Sequence, residues 1–142
     1  MQLSIRADKC CGCRICVVYC SFHHERVIWP AMARLRIEAP TDSGPFSPRV
    51  CRQCNARSAS DGAVAPCTEA CPVTAIGFCD ESGAWVVDAA ACTGCGACEE
   101  ACPFGMIVLD DQREMAIKSD LCGGQPVCAE MCPSGAIEVR NG

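Results

Sequence analysis

Aromatic side chains are scarce in this chain: two Trp, one Tyr and four Phe among 142 residues. Cysteine accounts for 17 of the nominally hydrophobic residues, so little aliphatic surface is left to build an ordinary core. No apolar run approaches the length needed to cross a bilayer, and no membrane span is expected. Basic residues form no stripe. The formal net charge is −5 and the pI about 4.9, so no nucleic acid partner is expected. The opening "MQLSIRADKC" has no apolar h-region, no twin arginine and no small-residue cleavage site. A cytoplasmic location with reduced thiols is the expectation. The sequence also lacks a glycine-rich phosphate loop, a nucleophile elbow and an acid–base pair of credible spacing. No catalytic site of its own is therefore expected.

What the chain has in excess is cysteine, at about 12% of residues, far above ordinary usage. A secreted disulfide scaffold and an intracellular metal protein both use cysteine this heavily. An odd count of 17 suits pure disulfide pairing poorly. The absence of an export signal favours metal. The length fits one compact domain, 1–142, that needs staples other than grease.

The cysteines fall into four groups. Cys10, Cys13, Cys16 and Cys20 are spaced C-x2-C-x2-C-x3-C. Cys51, Cys54, Cys67 and Cys71 follow C-x2-C-x12-C-x3-C-P. Cys92, Cys95, Cys98 and Cys102 repeat the first spacing and add Pro103. The last group, Cys122, Cys128 and Cys132 before Pro133, is one short, with Ser119 where a fourth cysteine would complete it. The C-x2-C-x2-C-x3-C-P run is the bacterial ferredoxin signature. A tight loop brings three thiolates onto one cubane, and its N–H groups point at the sulfides. The fourth cysteine reaches a second cluster, and the proline after it ends the helical turn. A zinc-stabilised scaffold would use paired C-x2-C knuckles and needs neither the third cysteine nor the C-P step.

The repeat extends past the thiols, since "CPVTAI", "CPFGMI" and "CPSGAI" begin at 71, 102 and 132. "AIGF" (75–78) and "AWVV" (84–87) flank the turn "CDESG", and "MIVLD" (106–110) and "MAIK" (115–118) flank "DQRE", so both pairs read as hairpins. "LSIRA" (3–7) and "AIEVR" (136–140) are strands at opposite ends that can close on each other. "CVVYC" and "CEEAC" read as helices of one to two turns. "RLRIEA" (34–39) reads as a strand, and "PTDSGPFSP" (40–48) as a loop. The residues between Cys54 and Cys67 form a second loop. The fold class is α+β, a small chain wrapped around clusters.

With "CSFHHE" after the first motif and "RVCRQC" at the second, the chain resembles the four-cluster ferredoxin-type electron-transfer subunits. These accompany molybdenum and tungsten oxidoreductases, hydrogenase and carbon monoxide dehydrogenase. The short length and "DLCGGQPVCAEMCP" resemble the small subunit of tungsten aldehyde:ferredoxin oxidoreductase-type enzymes. The resemblance implies two nested bacterial-ferredoxin-like units. One is formed by 1–21 with 118–142 and the other by 50–117, with 22–49 as an inserted docking segment. It implies these ligand sets: Cys10, Cys13, Cys16 and Cys132; Cys51, Cys54, Cys67 and Cys102; Cys92, Cys95, Cys98 and Cys71. A fourth set holds Cys20, Cys122 and Cys128 with Ser119. Three 4Fe–4S clusters follow. The fourth site is a 3Fe–4S cluster, a 4Fe–4S cluster with oxygen at one iron, or empty, and Asp120 or Cys11 are further substitutes for the missing thiol. The implied function is relay of single electrons between a catalytic subunit and an external carrier, ferredoxin or flavin subunit. A free polyferredoxin serving several enzymes is the alternative.

Other residues invite functional readings. Cys11 and Cys79 lie outside the groups and are expected to be buried structural thiols. His23, His24 and Glu25 are expected at the surface or behind the ligands, with no carboxylate partner in view. Trp29 and Trp85 are expected to pack. Arg49, Arg52 and Arg57 near the second motif are expected to offset cluster charge or to dock a partner.

Overall fold

Among the described residues, four short antiparallel strand pairs, each a separate two-stranded sheet, frame the chain. The computed structural model describes residues 1–55, 62 and 64–141. β1 (Gln2–Ile5) pairs with β8 (Ile137–Arg140), with Leu3 opposite Val139. The two ends of the sequence therefore close on each other, as the patterns at 3–7 and 136–140 suggest. β4 (Ile76–Cys79) pairs with β5 (Ala84–Val87), and β6 (Val108–Asp110) with β7 (Met115–Ile117). Both expected hairpins are present, shifted by a residue or two at their ends.

β2 (Leu35–Glu38) lies where a strand is expected, but its partner is a departure. β3 (Ser47–Val50) takes Ser47 and Pro48 from the segment read as a loop. Pro48 is tolerated opposite Ile37 because this sheet has only two strands, both of them edges.

The helices are α1 (Ile15–Glu25), α2 (Pro66–Ala70), α3 (Ala97–Ala101) and α4 (Val127–Glu130). α3 has the expected length. α1 is 11 residues, not one to two turns. Nothing between Ile15 and Glu25 breaks a helix: the stretch holds no Gly and no Pro. It stops only where Arg26 turns left-handed (φ 61°) and its N–H bonds Phe22 O. The expected boundary at 21/22 therefore falls inside a helix. No helix among the described residues is long and apolar enough to cross a membrane.

Two buried apolar clusters form. One joins Cys16, Val17 and Cys20 of α1 to Leu35, Ile37, Cys128 and Ile137. The other joins Ala65, Cys67, Ile76, Cys98, Ile107 and Ala116. Cysteines sit at the centre of both, as the scarcity of aliphatic side chains leads one to expect.

Candidate metal centres

Each cysteine loop depends on backbone that turns left-handed at fixed offsets from its first ligand position. After Cys10 the left-handed residues are Gly12 (φ 74°) and Arg14 (φ 61°); after Cys92 they are Gly94 (φ 71°) and Gly96 (φ 81°). The second and fourth loops share another pattern. Gln53 and Cys54 (φ 49° and 48°) follow Cys51, and Leu121 and Cys122 (φ 54° and 52°) follow Ser119. Ser119 thus occupies the position in its loop that Cys51 occupies in the second. Left-handed backbone at non-glycine residues costs about 1–3 kcal/mol each and persists only where the surroundings enforce it, commonly at ligand clamps. Gln53 and Leu121 are the buried anchors of these two turns, each about 1% exposed.

Cys51, Cys54, Cys67 and Cys102 line one hollow of about 360 Å³. Cys71, Cys92, Cys95 and Cys98 line another of about 330 Å³. Cys20, Cys122 and Cys128 line a third of about 300 Å³, together with Ser119, His24 and Arg34. The remaining set, Cys10, Cys13, Cys16 and Cys132, is brought together at the start of α1. Burial pushes the Cys16 thiol up to about 11, with Cys132, Cys13 and Cys10 adding to the effect. Burial likewise pushes Cys67 and Cys122 to about 11 and Cys128 to about 12. Crowded, buried thiols resist ionising by themselves, and a bound cation reverses that preference. Two ligand candidates run the other way. In Cys71 and Cys132 burial raises the thiol, but backbone N–H groups outweigh it and lower both. For Cys71 the nearest is Ala75 N–H, 3.2 Å from its sulfur.

The donor set fits iron–sulfur clusters, since thiolates are soft ligands. A second observation agrees. Among the described residues, two buried side-chain N–H groups have no partner, Arg34 Nε and Trp85 Nε1. Buried donors are rarely left unpaired. Arg34 lines the hollow of the fourth set and Trp85 that of the second. Both suit a group that presents sulfide acceptors.

The fourth site also corrects the reading of the histidines. His24 does have a carboxylate partner: its Nε2 donates to Asp120 Oδ1 at 3.0 Å and its Nδ1 to Cys20 O at 2.9 Å. Burial works against the imidazolium, but Asp120 and Cys20 outweigh it and push His24 up to about 9. Burial raises Asp120, while His24 and the Cys122 N–H pull it down to about 2. The His23 and His24 rings touch at 4.9 Å, and with Cys122 their ligating atoms lie within 4.8 Å of one another. Both His24 nitrogens are engaged as donors, so neither lone pair is free to ligate. Asp120 is likewise occupied, since it also accepts from Cys122 N–H at 2.8 Å. Ser119 Oγ accepts from Leu121 N–H at 3.4 Å, a long bond.

Other expectations fare differently. Cys11 is exposed and Cys79 only partly buried at the end of β4, so neither is a buried structural thiol. Trp85 packs edge-on against Phe78, with ring centroids 5.1 Å apart. Trp29 is exposed. Glu25 is buried and paired with Arg34 at 2.6 Å and Arg113 at 2.9 Å, not at the surface. Arg52 stacks on Phe104 at 4.7 Å and lines the second hollow. Arg49 faces Glu38 on the adjacent strand at 3.5 Å. Arg57 lies outside the described residues. Sequence reasoning missed Lys118, which is 7% exposed and lines the second hollow. Its only sequence signal is a lone cation closing the apolar strand "MAIK".

Fold and site together define an iron–sulfur protein of ferredoxin-like architecture. Residues 91–136 match the 4Fe-4S dicluster domain family, and residues 60–113 the LdpA Fe-S cluster-binding domain. The putative electron transport protein YsaA of Escherichia coli is 37% identical over 81% of this chain and 71% of its own length. The polyferredoxin-like subunit of the aliphatic sulfonate oxidoreductase of Pyrococcus furiosus is 41% identical over 70% of this chain. This chain spans about half (52%) of that relative's length. A chain of the active site complex BamBC of benzoyl coenzyme A reductase shares the fold. It has a TM-score of 0.52 at 22% identity and covers 96% of this chain and 76% of its own. The chain belongs to the iron–sulfur electron-transfer proteins.

Proposed function

We propose that the chain is the electron-relaying subunit of a larger oxidoreductase, built as two nested ferredoxin-like units. In this reading Cys10, Cys13, Cys16 and Cys132 hold one 4Fe–4S cluster. Cys51, Cys54, Cys67 and Cys102 hold the second, and Cys92, Cys95, Cys98 and Cys71 the third. When bound, the clusters supply one-electron redox chemistry. The chain's residues hold them, set their electrostatics and keep water away. The observation that carries the reading is the convergence of cysteines distant in sequence on shared hollows of similar size. The pairing of β1 with β8 and the two separate apolar clusters support two nested units, around 1–21 with 118–142 and around 50–117, with Leu35 and Ile37 of the inserted segment packed on the first.

The fourth site is occupied in this reading, with Cys20, Cys122 and Cys128 as ligands. The convergence of these three cysteines on one hollow and the orphaned Arg34 Nε support that. Ser119 faces the iron that lacks a thiolate, giving either a 3Fe–4S cluster or an oxygen-ligated 4Fe–4S cluster. The hard hydroxyl favours the former.

The partner is a catalytic oxidoreductase subunit, of the tungsten or molybdenum aldehyde-oxidising type. Segment 22–49 docks it. Phe22, Val27, Ile28 and Trp29 are exposed at the end of α1, an apolar group suited to burial against another chain. Anaerobic purification from the native host tests this. A stoichiometric complex with a pterin-containing subunit is expected. Isolation as a free monomer would favour a general carrier and overturn the subunit assignment.

A further inference from the structure

The second and third hollows are built from mirrored motifs, yet their electrostatics differ sharply. Lys118 sits directly after β7, and its ammonium is buried. Its three donors are filled by neutral oxygens: Trp85 O at 2.7 Å, Gln53 Oε1 at 2.9 Å and Ser119 O at 3.1 Å. No carboxylate pairs with it among the described residues. A buried ammonium is costly unless an opposite charge compensates it. Lys118 lines the hollow of Cys51, Cys54, Cys67 and Cys102. Trp85, whose buried Nε1 has no partner among the described residues, also lines this hollow. Arg52 lines it too, but is exposed and so more fully screened by solvent. The third hollow has no charged lining residue among those described. Its Cys71 sulfur receives a neutral backbone donor, Ala75 N–H.

We infer that Lys118 is the fixed counter-charge of the cluster in the second hollow, and that Trp85 donates its indole N–H to that cluster. Together they make it easier to reduce than the cluster in the third hollow. The inference rests on the proposed ligand sets. Adding one electron to a thiolate-ligated cluster makes its charge more negative by one. A nearby buried cation and an aimed N–H stabilise that added charge, which raises the potential. Gln53 fixes the geometry: the Trp85 backbone N–H donates to its Oε1 at 2.9 Å, and its Nε2 donates to Ser119 O at 3.0 Å. An electron delivered to the chain would rest on the second cluster before the third.

Potentiometric titration of the anaerobic full chain with dithionite, followed by EPR, tests the order. Cys51→Ser and Cys92→Ser label the two signals, each altering or removing one of them. In the unsubstituted chain the signal labelled by Cys51→Ser should appear at the higher potential. Lys118→Met should move that signal to lower potential and leave the other in place, Lys118→Arg should restore it, and Trp85→Phe should give a smaller downward shift. Full iron content with an unmoved signal in Lys118→Met, or the reverse order in the unsubstituted chain, overturns the inference. If Lys118→Met does not fold, the order in the unsubstituted chain still decides. An iron count short by one cluster, with no signal sensitive to Cys51→Ser, would refute the proposed ligand set and this inference with it.

Discussion

Ser119 replaces a thiolate with a hydroxyl at a loop position whose backbone matches that of Cys51. Both loops place two left-handed residues at the same offset, 53 and 54 in one and 121 and 122 in the other. The loop conformation is therefore retained without the sulfur. Under the proposed ligand sets, Ser119→Cys should convert an oxidised 3Fe–4S EPR signal into a reducible 4Fe–4S signal and add about one iron per chain. Iron analysis with EPR on the oxidised protein checks this, and an unchanged signal would count against a cluster site at Ser119. The gap in the fourth cysteine group was legible in sequence because spacing is local. The status of His24 was not. Its partner Asp120 is 96 residues away, joined only once α1 and the fourth loop pack together. Lys118 was equally hidden, since its burial depends on Gln53 and Trp85 from two other segments.

Elements in this chain serve chiefly to hold loops. Gly94 shows how tightly. Its φ is 71°, and a side-chain carbon there would lie 2.6 Å from Glu114 O in the turn between β6 and β7. Gly94→Ala should displace the Cys92–Cys98 loop and lower the iron content by about four per chain if that loop holds a 4Fe–4S cluster. Iron and sulfide analysis measures it. Farther from the loops, Glu25 at the end of α1 ties together Arg34 before β2 and Arg113 between β6 and β7. Burial raises the Glu25 carboxyl, but the two guanidiniums outweigh it and hold it below its usual range. The carboxylate is depressed in the folded state, so its contribution is complete above the ordinary carboxyl range. It is lost as pH falls through the lowered value. Glu25→Gln should destabilise the protein by about 2–3 kcal/mol at neutral pH, with Arg113 half-exposed and contributing less than Arg34. The deficit should shrink in acid, and denaturant unfolding at both pH values reads it. The short hairpins were legible because apolar runs and turn residues alternate plainly. α1 was underestimated because the cysteine spacing drew attention to its first turn alone. β3 was missed because Pro48 and Ser47 carry loop chemistry, which an edge strand tolerates.

Across the whole molecule, two small apolar clusters centred on cysteines replace a single greasy core. Such a chain gains much of its folding free energy from metal binding. Removing iron with a chelator under reducing anaerobic conditions should abolish cooperative unfolding and most of the native circular dichroism. The α+β class and the closure of the two ends were visible in the sequence because β1 and β8 carry matching short apolar patterns. The separation into two apolar clusters was not legible in the sequence, since cysteine spacing alone does not say which distant segments pack together. The measurement closest to the central claim is metal and acid-labile sulfide counting on the anaerobically purified chain, with EPR of the oxidised and reduced protein. The account predicts about 15 or 16 irons per chain with sulfide to match, and reducible 4Fe–4S signals. A folded, colourless protein holding zinc in place of iron would contradict it.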